Sequence, residues 1–151
     1  MAQIATTIEQ SKKLIELGID VNTADMNYCN SSYKGKDYVG EWKLSLQSPQ
    51  EAKSILDMSV TSWNTYWEII PAWSLSALIE LMPASIIYGY SEDDLYLLNI
   101  YKDDYRYFVE YRKEIKSKIS NCYKTKFEES SENLIDALFN VTCHLLENKL
   151  I

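Results

Sequence analysis

The stretch LYLLNIYKDDYRYFVEYRKEIKSKISNCY, residues 95–123, decides the fold because it reads in two ways. As strands it forms a meander, with Asp103–Asp104 as a two-residue turn. Tyr96, Leu98 and Ile100 then share a face with Tyr107, Val109 and Tyr111. Slipping the register by one residue would bring Arg106 and Arg112 into that face, so burial selects the first pairing. A second turn near Lys113–Ile115 would set Ile119 beside Val109 and Lys118 opposite Glu110, a favourable cross-strand pair. The opposite face would carry Arg106, Phe108, Arg112, Lys116 and Lys118. As a helix, Tyr101, Tyr105, Phe108, Tyr111, Ile115, Ile119 and Cys122 approximate one stripe, with Asp104 as a cap and Glu114–Lys118 as an i,i+4 pair. Tyrosine density and the clean facial split favour the strands.

Upstream of this stretch, residues 85–101 read as two short strands around the acidic turn Ser91–Asp94. Pro71 and Pro83 bound a helix containing Trp73, Leu75, Leu78, Ile79, Leu81 and Met82. It is apolar on most sides, which predicts a central, buried position. Residues 48–58 begin with Ser48 as N-cap, Pro49 at N1 and Glu51 at N3, the signature of a helix start. Residues 59–70 are ambiguous. Trp63 and Trp67 stand four apart, as on a helix face, whereas Val60, Thr61, Thr65 and Tyr66 favour a strand. Tyr38–Leu46 alternates as one strand, and the rest of residues 20–46 is polar and turn-rich.

Each end of the chain carries an amphipathic helix. At the N-terminal end Thr6 and Glu9 match a capping box, and Ile4, Ile8, Ser11 and Ile15 form a stripe. Gly18 supplies the left-handed C′ position. From Ser131 to about Glu147, Leu134, Leu138, Val141 and Leu145 form one row, and Ile135, Phe139, Thr142 and Leu146 the next. The fold class that follows is α+β: an antiparallel meander of about three to five strands, with the two terminal helices and the Pro-bounded central helix packed on it. At 151 residues the chain fits a single domain.

The net charge is −7, but it is unevenly placed. Residues 102–126 hold eight bases and four acids, a net +4, so the remainder carries −11. A broad nucleic-acid surface is disfavoured, because phosphate contacts need clustered Lys and Arg. The interleaved Tyr, Arg and Lys of 105–118 keep a nucleic-acid or acidic-protein contact through 102–126 as an alternative. Cys29, Cys122 and Cys143 show no metal-ligand spacing and suit free thiols in a reducing compartment. The first residues lack the pattern of a signal peptide, and no apolar run reaches the ~20 residues of a membrane span. A cytoplasmic protein is therefore expected, with no membrane partner.

Reactive constellations are sparse. The one histidine, His144, adjoins Cys143, but neighbours on a helix point about 100° apart and do not form a nucleophile–base pair. Glu92-Asp93-Asp94 lacks calcium-loop spacing and reads as a solvated turn. Glycine-rich phosphate loops are absent from the sequence. No catalytic residue, metal or cofactor is expected, although carboxylate or Cys/His chemistry stays open as an alternative. Trp63, Trp67 and Trp73 fall within eleven residues; core filling or a partner surface both suit them.

The segments TTIEQSKKLIELGID, PAWSLSALIELMP and SENLIDALFNVTCHLLENKLI resemble a group of short bacterial proteins associated with phage and mobile-element genes. The resemblance implies a small intracellular accessory protein and carries over no catalytic residue. A non-enzymatic interaction protein is thus the leading expectation. Its partner would be another protein or a second copy in a homodimer, and its candidate contact residues are Arg106, Phe108, Arg112, Lys116, Lys118, Trp63 and Trp67.

Overall fold

The computed structural model describes residues 3–33, 40–58, 65–116 and 121–151. The fold is α+β, with four helices and two antiparallel sheets. The chain divides into two compact units. The first holds residues 4–77, and the second holds residues 78–151 together with the first three residues.

In the first unit, α1 (Ile8–Glu16) opens at Thr7, one residue later than the T-x-x-E pattern suggests. The Thr7 hydroxyl accepts from the Gln10 amide at 3.2 Å, and the Gln10 side chain accepts from the Thr7 amide at 2.9 Å. Thr6 is buried instead. Its Oγ1 meets Ser11 Oγ at 2.8 Å and accepts the Trp73 amide at 3.0 Å. Ser11 and Leu14 are the residues α1 buries, whereas Ile4 and Ile15 are exposed. Gly18 takes φ +89 just past the helix, as its position predicted.

The sheet of this unit runs β2-β1-β3: β1 (Met26–Tyr33), β2 (Lys43–Ser45) and β3 (Thr65–Ala72). β1 lies inside the stretch expected to be irregular. Its sequence MNYCNSSY has little strand propensity, and pairing on both sides overrides that. The buried Asn27 donates from Nδ2 to the Gln47 carbonyl at 2.7 Å. β2 is shorter than the expected Tyr38–Leu46; Leu44 packs against Ala5, Met26 and Ala72, and Leu46 is exposed. α1 lies against β3, and α2 (Pro49–Met58) lies against β3 and β1. α2 starts as read, with Ser48 Nα donating to Glu51 and Ser48 Oγ accepting the Glu51 amide.

Pro71 sits within β3, opposite Asn27, on an edge strand where a missing N–H does no harm. The central helix α3 therefore covers only Leu75–Leu81, still closed before Pro83. Ser74 caps it, accepting the Ala77 amide, and itself bonds Asp25. Trp73, just outside the helix, is fully buried and donates from Nε1 to Thr23 at 2.9 Å.

The second unit contains the meander β4 (Ser85–Ile87), β5 (Leu95–Lys102), β6 (Tyr107–Lys116) and β7 (Asn121–Ser131), hydrogen-bonded in that order. The helical reading of 105–123 is thereby excluded. Leu98 pairs with Tyr111 and Ile100 with Val109, which is the predicted shared face. The connection is longer than two residues, since Lys102 pairs with Tyr107. Asp103 Oδ1 organises it by accepting the Tyr105 and Arg106 amides at 2.9 and 2.8 Å, and these bonds lower its pKa.

β6 continues through Lys116, so the chain reverses later than Lys113–Ile115. Glu110 falls at a β-bulge, with Val109 opposite Glu129 and Tyr111 opposite Lys126. Phe127, in the bulge, adopts φ +51. Ile119 and Lys118 lie outside the described residues.

α4 (Leu134–Glu147) packs on β7 and β6 and buries Ile135, Ala137, Leu138, Val141, Thr142 and Leu145. Asn133 caps it by accepting the Ile135 amide. The terminal helices thus each cover a separate sheet. Among the described residues, no helix is long and apolar enough to cross a membrane.

Candidate functional site

Alternation along β5–β7 gives the four-stranded sheet two different faces. One carries Tyr96, Val109 and Tyr111, all buried, with the Tyr111 hydroxyl donating to the Pro83 carbonyl at 2.7 Å. Burial pushes the Tyr111 phenol up to about 12. This face receives α4.

Among the described residues, no helix of the same unit packs on the other face to the extent that α4 packs on this one. Pairing places Ile87 beside Leu95, Arg112 between Leu97 and Thr125, Asn99 beside Glu110, Tyr101 beside Phe108, and Glu114 beside Tyr123. Its apolar members stay in water: Ile87 is 54% exposed, Leu97 57%, Tyr123 54% and Tyr101 39%.

The centre of this open face is polar and closely knit. Glu110 is only 3% exposed, and a lone buried carboxylate would be costly. Arg112 folds back along its strand and donates to Glu110 Oε1 from Nη2 at 2.6 Å and from Nε at 2.8 Å. Asn99 Nδ2 donates to the same oxygen at 3.2 Å. The hydrogen bond to Glu110 raises the Arg112 pKa further. The guanidinium also lies 4.7 Å from the Tyr123 ring centre and 5.7 Å from that of Tyr101. Tyr101 stacks on Phe108 with centroids 4.9 Å apart and planes within 5°. Desolvation first, then the nearby Glu110 and Glu128 carboxylates, push the Tyr101 phenol up. A shallow depression of about 260 Å³ opens among Leu97, Asn99, Arg112, Glu114 and Tyr123.

Of the residues singled out from the sequence, Phe108 and Arg112 lie on this face. Arg106, in the β5–β6 connection, reaches it through Nη1, 3.4 Å from Ser130 Oγ. Lys116 ends β6. Lys118 and Trp63 lie outside the described residues. Trp67 stands in β3 of the first unit, 43% exposed, so it does not belong to this cluster, and Trp73 is core. The three tryptophans therefore do not form one site.

On this face Arg112 is paired with Glu110, an acid already counted in the net +4 of residues 102–126, so Arg112 is not available as an unmatched cation. The strand reading places Tyr96, Tyr107 and Tyr111 on the inner face; Tyr96 and Tyr111 are fully buried and Tyr107 is half-buried, while Tyr101 and Tyr123, which it does not assign, are exposed on the open face. The same period of two that selected Phe108 and Arg112 also marks Leu97, Tyr101 and Glu110.

A second cluster surrounds His144. Its Nε2 lies 2.8 Å from Glu129 Oε1, and its ring stacks on Phe127 at 6.0 Å. Phe127 in turn meets Tyr88 edge-on at 5.2 Å. Cys29 is a half-buried free thiol, and burial pushes its pKa up. Among the described residues, no group of three His, Cys, Asp or Glu side chains is arranged to hold a metal ion. Comparisons of the chain with family models, with curated proteins and with solved structures return no match.

Proposed function

We propose that the chain is a non-enzymatic accessory protein that works by presenting the open face of its four-stranded sheet to a protein partner. One observation carries this reading. Ile87, Leu95 and Leu97 are contiguous on β4 and β5, exposed, and continued by Tyr101 and Tyr123 on a face whose reverse side is already packed by α4. Contiguous exposed apolar surface of this kind marks interaction sites, and Tyr and Arg are favoured at their centres. The prearranged Arg112–Glu110 pair supports the same reading, since it offers polar groups without an unmatched charge.

Site-directed photo-crosslinking tests it. A benzophenone amino acid replacing Leu97 or Tyr123 is expected to give a discrete protein adduct in cells, and one replacing the exposed Lys53 of α2 is expected to give none. Equal labelling from both places, or none from Leu97 and Tyr123, overturns the reading. The accessory role in a phage or mobile element rests on the sequence resemblance, and flanking genes of unrelated housekeeping function would overturn it.

A nucleic-acid role for the same face draws on the Tyr101–Phe108 stack and Arg112. It is the weaker reading because Arg112 is held by Glu110. Binding of single-stranded DNA or RNA at low salt, lost in Tyr101→Ala, would promote it over protein contact.

A further inference from the structure

Resting on the reading of the open face as a protein-contact surface, we infer that its partner is a second copy of this chain, paired face to face about a two-fold axis that crosses the strands at the Glu110 row. The register makes the face self-complementary about that line. The Leu97–Arg112 row and the Tyr101–Phe108 row lie at equal distances on its two sides. Rotation therefore sets Leu97 over the partner copy's Tyr101, and Arg112 over the partner copy's Phe108. Farther out, Glu114 on β6 and Arg106, in the β5–β6 connection just before β6 with its Nη1 near Ser130 Oγ, are each four residues along the chain from Glu110 on opposite sides of the axis. Rotation brings each Glu114 to the other copy's Arg106, so the charges match twice, as an isologous contact requires.

Charge favours this face over the rest of the surface. Two copies at −7 each repel. Here, however, Arg106 and Arg112 stand among Glu110, Glu114 and Glu128, and the carboxylate on the axis is already covered by its own guanidinium. The area is also adequate. The three long strands β5, β6 and β7 at ~4.8 Å spacing and eight residues at ~3.4 Å give about 400 Å² in plan, which side-chain relief extends toward the ~800 Å² per partner of a standard interface. Packed sheets align within about 30°, which keeps the outer charged pairs in reach.

Reciprocal charge reversal tests the geometry in the full-length protein, with circular dichroism confirming that each variant folds. By sedimentation velocity, the unmodified chain is expected to dimerise reversibly. Arg106→Glu alone and Glu114→Arg alone are each expected to weaken dimerisation at least ~10-fold, because each creates two like-charge contacts. An equimolar mixture of the two variants is expected to recover the dimer, since every contact across a mixed pair is then attractive. A mixture that stays monomeric, or single variants that dimerise unchanged, overturns the two-fold pairing. A chain that is monomeric at every concentration while Leu97 still crosslinks to a different protein in cells overturns the self-pairing alone. Absence of both dimer and adduct overturns the contact-surface reading with it.

Discussion

The two faces of the four-stranded sheet share strands, register and residue types, yet they solve the problem of apolar surface differently. On the α4 side, Val109 and Tyr111 are fully buried by an element of the same unit. On the open side, Leu97, Tyr101 and Tyr123 remain in water, and a carboxylate is enclosed under an arginine. One face holds the unit together, and on the other only the enclosed Glu110–Arg112 pair is expected to bear on stability, the exposed apolar side chains being replaceable at little cost. That separation of roles is what a contact surface requires, and mutation can break or sharpen it.

The largest effect is expected on the covered face. Leu138→Ala in α4 removes a fully buried side chain and is expected to cost about 3 kcal/mol, read as a lower urea midpoint and faster amide exchange along β6. Arg112→Ala comes next, at roughly 2 kcal/mol, because it strands the buried Glu110 while part of the pair is solvent-screened. Combining Arg112→Met with Glu110→Gln is expected to bring the loss back to within ~1 kcal/mol, which would show that the penalty comes from an unmatched charge.

Alkaline pH sharpens the contrast from the covered side. Tyr111 titrates near 12 in the folded chain, above its usual value near 10, so the folded state holds that proton more tightly. Its stabilising contribution is complete below pH ~10 and declines as pH rises from there to about 12. In Tyr111→Phe, urea midpoints measured across pH 9–12 are expected to lose that part of the decline. The smallest effect is expected for Leu97→Ser on the open face, within ~0.5 kcal/mol of the parent, because little apolar area leaves the core. A loss above ~2 kcal/mol would show that the two faces are not separable.

Legibility follows the same division. The meander was readable because a period of two survives errors in turn length. The true connection pairs Lys102 with Tyr107, two residues longer than the predicted turn, and an even shift leaves every side chain on its predicted face. The three-stranded sheet was readable only in part: β2 falls within the expected strand Tyr38–Leu46 and β3 overlaps the ambiguous 59–70, but β1 was missed. β1 is made of Asn, Ser, Cys and Tyr and is a strand only because neighbours pair with it, while Pro71 resembles a helix start yet lies in an edge strand. In the site, Phe108 and Arg112 were legible from alternation. The burial of Glu110 was not, since it depends on Arg112 folding back along its own strand, a rotamer choice that spacing does not encode.

β7 is the outermost strand of its sheet, and the bulge at Phe127 has a consequence for how that rim behaves in a crowded solution. A straight incoming strand can match the ladder on one side of the bulge only, because the count of residues changes there. Lys124 and Lys126 put charge into the longer run, residues 121–126. The rim is thereby poorly suited to templating sheet growth from copy to copy, so the chain can keep a large apolar face in water without an open invitation to fibril formation.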